Sequence, residues 1–204
     1  MKPKTALKWL LPLIFGLAFF AAAAGLLWPG GDQPFAYTSL RGEEVTINAR
    51  GLYYWDTVSA AAQAQGNDIV TLLVGLPLLA VSSWLALRGS TRGGLVLTGT
   101  LGFFLYTYVS MAFMAAYNPL FLVYVALYSL SLFAFILSMM SIDLETLPGR
   151  FSTRLPRGWI AALLFLVAAF LLVAWLGRIM PTIFQDQLPL LENTTTLVIQ
   201  AMDL

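Results

Sequence analysis

Long apolar runs alternate with short polar breaks along this chain. Five of the runs approach the roughly 20 residues that carry a helix across a bilayer. The first runs from about Ala6 to Trp28 and is stopped by "PGGD". The second runs from about Ile69 to Leu87, with Pro77 as an expected kink whose freed carbonyl needs a partner. The third covers about Gly94 to Tyr117, the fourth Pro119 to Ile142 and the fifth Trp159 to Gly177. Asn118-Pro119 reads as the turn between the third and fourth, because the residue before proline is pushed out of helical geometry. The first run also has the length of a signal-peptide core, with "AAAA" as a cleavage site. Gly25, Leu26, Leu27 and Trp28 extend it, which favours a retained anchor.

Alternation of period two appears only between the first and second spans. "FAYTSL", "RGEE" and "VTINA" predict strand, turn and strand, with Val45, Ile47 and Ala49 on one face of the second. A loop and a short helix follow, with Asp56 as the expected cap and Tyr53, Tyr54 and Trp55 laid near the membrane surface. Asn67 or Asp68 then caps the second span. The prediction is an all-α polytopic transmembrane helix bundle with at least five spans and a small outer loop domain containing a β-hairpin. Its segments are an anchor (1–28), the outer loop (29–68), a four-span bundle (69–178) and a tail (179–204). In the tail, Glu192, Asn193 and Thr194 resemble a helix start. The apolar stretch after it is too short to cross, so it reads as a surface helix or as the beginning of a sixth span. The Asn-x-Thr sequon at Asn193 reads as coincidence in a bacterial chain.

Composition agrees: 59% of residues are hydrophobic and 10% charged, against roughly 25% charged in soluble domains. Charge then sets direction. Lys2, Lys4, Lys8, Arg88, Arg92, Arg150, Arg154 and Arg157 fall on one side of the threading, and Arg41, Arg50 and Arg178 on the other, eight against three of the eleven Lys and Arg. The basic side is expected to be cytoplasmic, which puts the N-terminus inside a bacterial inner membrane. Trp9, Trp28, Trp84, Trp159 and Trp175 stand near span ends, where indole favours the headgroup level.

Residue types narrow the chemistry. With no cysteine there is no dithiol redox chemistry, iron–sulfur ligation or disulfide. With no histidine the commonest metal and haem ligand and the usual general base are missing. No lysine lies inside a span for a Schiff base. No cofactor and no metal site are expected, and the dispersed basic residues form no nucleic-acid patch. Asp143 and Glu145 beside Arg150, Arg154 and Arg157 form the one close acidic pair next to a basic cluster. The arginines read as topology determinants touching anionic lipid.

Two places remain as candidate sites. In the third span Gly99, Gly102, Tyr106, Ser110, Phe113 and Tyr117 share a helical face, and in the fourth Tyr124, Tyr128, Ser131, Phe135 and Ser138 do. These stripes serve either as helix glue, hydroxyls bonding across small residues, or as a pocket for an amphipathic ligand lined by Tyr106, Ser110, Tyr124, Tyr128 and Ser131. The second place is the outer loop, where Glu43, Glu44, Tyr53, Tyr54 and Trp55 are the expected partner-binding residues. The chain therefore reads as a non-enzymatic membrane protein. Its partners are the lipid bilayer and a further membrane protein, and the alternative role is a transporter or lipid-binding protein.

Overall fold

The structure is a computed structural model that describes residues 3–39, 42–152, 154–184, 194 and 197–204. Its helices are α1 (Pro3–Leu27), α2 (Val58–Val70), α3 (Leu76–Leu87), α4 (Thr91–Phe113), α5 (Phe121–Met140), α6 (Arg157–Phe184) and α7 (Val198–Asp203). Strands β1 (Phe35–Thr38) and β2 (Glu44–Ile47) pair antiparallel, Phe35 opposite Ile47 and Thr38 opposite Glu44. Among the described residues five helical stretches are long and apolar enough to cross a membrane, which gives the chain the make-up of an integral membrane protein.

The expected short loop helix and second span are one continuous helix, Val58–Leu87. Thr57, not Asp56, caps it, its hydroxyl accepting the Ala60 N–H, and Asn67 and Asp68 lie inside it rather than at its start. Polar residues do not end a helix whose backbone bonds are intact; they only read as a break in an apolar run. Pro77 is absorbed just upstream. A π-helical turn at Thr71–Gly75 shifts the Leu76 N–H to the Thr71 carbonyl, widening the helix where the proline ring would strike the carbonyl one turn back.

Four rows of inward-facing residues build the bundle. On α1 the buried positions are Leu7, Leu11, Ile14, Ala18 and Ala21, alternating steps of four and three. The Val58–Leu87 helix buries Ala61, Ala64, Asp68, Thr71, Gly75, Leu79 and Ser82. On α4 they are Leu97, Leu101, Phe104, Tyr108 and Met111, and on α5 Tyr124, Leu127, Ser131, Ala134 and Ser138. This 3.5-residue period is that of knobs-into-holes packing. The stripe read on α4 is therefore rotated from the true seam: Tyr106, Phe113 and Tyr117 are exposed. Lipid is as apolar as a protein core, so hydrophobicity does not mark which side of a membrane helix faces inward.

One hydroxyl bridge crosses the α4–α5 seam, Thr98 Oγ1 to Ser138 Oγ at 2.7 Å. Ser138→Ala is expected to cost about 0.6 kcal/mol, the average for such bonds in bilayers, measured by thermal unfolding in nanodiscs. The apolar stretch of α6 buries none of its residues against the bundle. A link to it runs through α7, whose Asp203 carboxylate accepts from Tyr106 Oη of α4 and Trp175 Nε1 of α6, both at 2.9 Å. Residue 194 is described, but Glu192 and the Asn193 sequon lie outside the described residues.

Candidate functional site

The hairpin and its loop fold onto one end of the bundle, and the sequence says how. Asn48 follows β2 and its amide donates to the carbonyls of Arg50 (2.8 Å) and Tyr53 (3.0 Å), gathering residues 48–54 into a tight turn. Ala49 adopts a left-handed φ of 57° at the strand's end. Its carbonyl accepts the Asp32 N–H at 2.7 Å and its own N–H reaches the Tyr54 carbonyl at 2.9 Å. Tyr54 Oη donates to Asp32 Oδ2 at 2.8 Å, which raises the phenol's pKa through that hydrogen bond. This turn aims Tyr53 inward and leaves Trp55 outward, 58% exposed.

Tyr53 is 1% exposed, and its hydroxyl donates to Asp68 Oδ2 at 2.7 Å. Burial is the main cause that lifts the Tyr53 pKa, with Tyr124 and Asp68 adding to it. Asp68 stands in the inward seam, where aliphatic residues would be expected, and is 6% exposed. Room for its carboxylate comes from α1. Continuing the buried row of that helix by four residues leads to Gly25, and a Cβ there would overlap Asp68 Oδ2 and lie 2.7 Å from the Tyr53 hydroxyl. Only a residue with no side chain lets α1 close over the pair.

A second carboxylate joins the same end. Asp56, 6% exposed, accepts the Ala116 N–H at 2.8 Å and so ties the loop to the α4–α5 connection. Beside it Asn118, also buried, accepts the Leu120 N–H at 3.0 Å and shapes the turn into α5. Tyr124 packs in from α5, stacked on Tyr108 at 6.3 Å, which in turn stacks on Phe104 at 6.2 Å. Asp56 Oδ2 is buried without a hydrogen-bond partner, and the Tyr124 hydroxyl faces Tyr53 and Asn118. The result is an acid–tyrosine cluster of Tyr53, Asp56, Asp68, Asn118 and Tyr124 between lobe and bundle.

Burial pushes the Asp56 pKa up to about 6, against the opposing pull of the Ala116 N–H. A carboxyl whose folded pKa exceeds its unfolded value favours folding most when protonated. Its contribution is complete below about pH 4 and is lost as pH rises through about 6. Asp56→Asn keeps an acceptor for Ala116 and removes the charge. It is expected to raise stability at pH 7 by about 2 kcal/mol and to flatten that part of the pH profile, read from melting curves between pH 4 and 8. Asp56→Ala, which discards the acceptor, is expected to destabilise at every pH.

The five hydroxyl residues expected to line a pocket are not gathered by hydrogen bonds, apart from Ser110 Oγ donating to the Tyr106 carbonyl at 2.9 Å. Tyr106 is turned to Asp203, Tyr128 meets Phe113 edge-on at 5.7 Å, and Ser131 is fully buried with its Oγ unpartnered. Tyr124 alone belongs to the cluster. Of the loop residues, Glu44 and Trp55 are exposed, Glu43 and Tyr54 half-buried, and Tyr53 buried. Asp68 was legible only as a polar break; the signal that locates it is the small-residue seam Ala61, Ala64, Asp68, Thr71, Gly75. Among the described residues no three Asp or Glu come together as a metal site. No protein-family model, curated protein or solved structure matches the chain.

Proposed function

We propose that the protein is a non-enzymatic accessory subunit of the bacterial inner membrane, N-terminus cytoplasmic, that docks a second membrane protein on its hairpin lobe. The bundle end opposite the lobe carries most of the basic residues, which supports that orientation. The observation that carries the reading is the state of β1. It pairs with β2 on one side and with nothing on the other among the described residues, and all four of its residues are exposed. Ser39 N–H bonds the Glu43 carbonyl. By the alternation of an antiparallel ladder, Ala36 and Thr38 then point their backbone groups to the open edge.

An open edge held on a rigid mount is a template for an added strand. The cluster fixes the lobe to the bundle, so a partner segment meets a preformed edge and orders little of this chain on binding. Phe35 and Tyr37, 38% and 43% exposed, offer apolar contact on one face of the strand, and Glu44 offers charge on the other. A photo-crosslinking amino acid at Tyr37 tests this in native membranes. One discrete polypeptide should be captured, and Ala36→Pro, which removes an edge N–H without touching the β1–β2 ladder, should abolish capture while leaving the melting temperature unchanged. Equal capture by the proline variant would refute docking at this edge.

A further inference from the structure

At the opposite end of the bundle a cavity and a groove share Leu87, in the last turn of α3. The cavity, about 230 Å³, is lined by Leu7, Leu87, Thr91, Ser141, Thr146 and Arg150 among others. The groove, about 330 Å³, runs between α1 and α3 and is bounded by Lys8, Pro12, Phe15, Gly16, Leu79 and Ser83. Leu87 lines both, and Leu7 of the cavity is the chain neighbour of Lys8 in the groove. A polar recess lined by one cation, Arg150, and one carboxylate, Asp143, therefore shares Leu87 with an apolar groove lined by a second cation, Lys8.

We propose that this pair of spaces is a binding site for one phospholipid with an anionic headgroup. The phosphate sits at the basic end between Lys8 and Arg150, and one acyl chain lies along the α1–α3 groove. Three features point to that occupant. Arg150 forms no ion pair among the described residues, although Asp143 stands near enough to feel its charge. Asp143 also lines the recess and accepts from the Thr146 hydroxyl at 2.8 Å and the Glu145 N–H at 3.1 Å; its single charge offsets one of the two cations and leaves the site net positive. Ser83 Oγ is buried without a hydrogen-bond partner in the wall of the groove. It lies one helical turn before Leu87, about 6 Å deeper at 1.5 Å per residue, where the ester carbonyl of a lipid anchored at Leu87 would accept it. A fully apolar channel would suit any acyl chain; the hydroxyl and the two cations select a glycerophospholipid with net negative charge.

Gly16 supplies the handle for a test. A Cβ there meets nothing within 4 Å, so Gly16→Leu fills the groove without striking the bundle. The purified full chain is placed in nanodiscs of phosphatidylglycerol and phosphatidylcholine, and the lipids kept after transfer to detergent are counted by native mass spectrometry. The wild type should retain one phosphatidylglycerol with a preference on the order of tenfold, as expected for two cations facing an anionic lipid. Gly16→Leu should lose the lipid altogether, and Lys8→Gln with Arg150→Gln should bind both lipids alike. Melting in pure phosphatidylcholine shows that each variant is folded. Equal retention of the two lipids by the wild type, or undiminished retention by folded Gly16→Leu, overturns the proposal. Inorganic phosphate raising the melting temperature in pure phosphatidylcholine as much as added phosphatidylglycerol does also overturns it, because the recess would then hold a free anion and the groove nothing.

Discussion

Replacing Gly25 with alanine is expected to destabilise the protein by about 3 kcal/mol or more. Added volume in a tightly packed core costs about 1–3 kcal/mol on its own. Here the intruding carbon overlaps Asp68 Oδ2 and crowds the Tyr53 hydroxyl, so the hydrogen bond between them is lost as well. Neither group can retreat easily. Tyr53 is held by the turn that Asn48 ties, and Asp68 is one residue of a helix packed on both sides. The same substitution at Gly16 makes the control. In a helix Gly→Ala ordinarily stabilises by up to about 1 kcal/mol, and at Gly16 the new carbon meets nothing. Two identical changes on one helix should thus move the melting temperature in opposite directions. A Gly25→Ala protein melting like the wild type would mean that α1 does not close over the pair.

The second large effect concerns the pair itself. Tyr53→Phe leaves the Asp68 carboxylate buried without its donor, at a cost of about 2–3 kcal/mol for a hydrogen bond to a carboxylate. Asp68→Asn preserves an acceptor for the phenol and is expected to cost about 1 kcal/mol or less. Tyr53→Phe combined with Asp68→Leu removes both polar groups. It should therefore be milder than the sum of the single changes, with a coupling of about 1.5 kcal/mol in the double-mutant cycle. Additive single effects would show that the two side chains do not share a bond. Because the pair joins loop to helix, its loss is also expected to speed amide exchange across β1 and β2 while α4 and α5 stay protected.

These two predictions rest on residues that were visible in the sequence in different degrees. The five spans were legible because an apolar run of bilayer length has few other uses. The hairpin was legible because Val45 and Ile47 alternate between turn residues. The start of the second helix was not, since Asn67 and Asp68 look like an end when only hydropathy is read. Their role appears once Ala61, Ala64, Asp68, Thr71 and Gly75 are seen as one row at 3.5-residue spacing. The inward face of α4 was missed for a related reason. Tyr106 and Tyr117 suit the lipid-facing or interfacial surface as well as a pocket, and only the neighbouring helix decides which. Tyr53, Tyr54 and Trp55 are adjacent and chemically alike, so nothing local distinguished the one that turns inward. That distinction comes from the left-handed backbone of Ala49 and the side-chain amide of Asn48, which together turn the loop.

Two carboxylates and two phenols are placed where the hairpin lobe meets the bundle, and the consequence is a lobe that does not need a partner to be held in place. An open edge strand on an anchored lobe is what the proposed docking role requires. The most direct measurement is native mass spectrometry of the intact protein released gently from its own membrane, wild type beside Ala36→Pro. The account predicts one additional polypeptide in stoichiometric amount on the wild type and none on the proline variant, with the same lipid retained by both. A wild-type chain that emerges without any polypeptide, or a complex that survives Ala36→Pro unchanged, would contradict it.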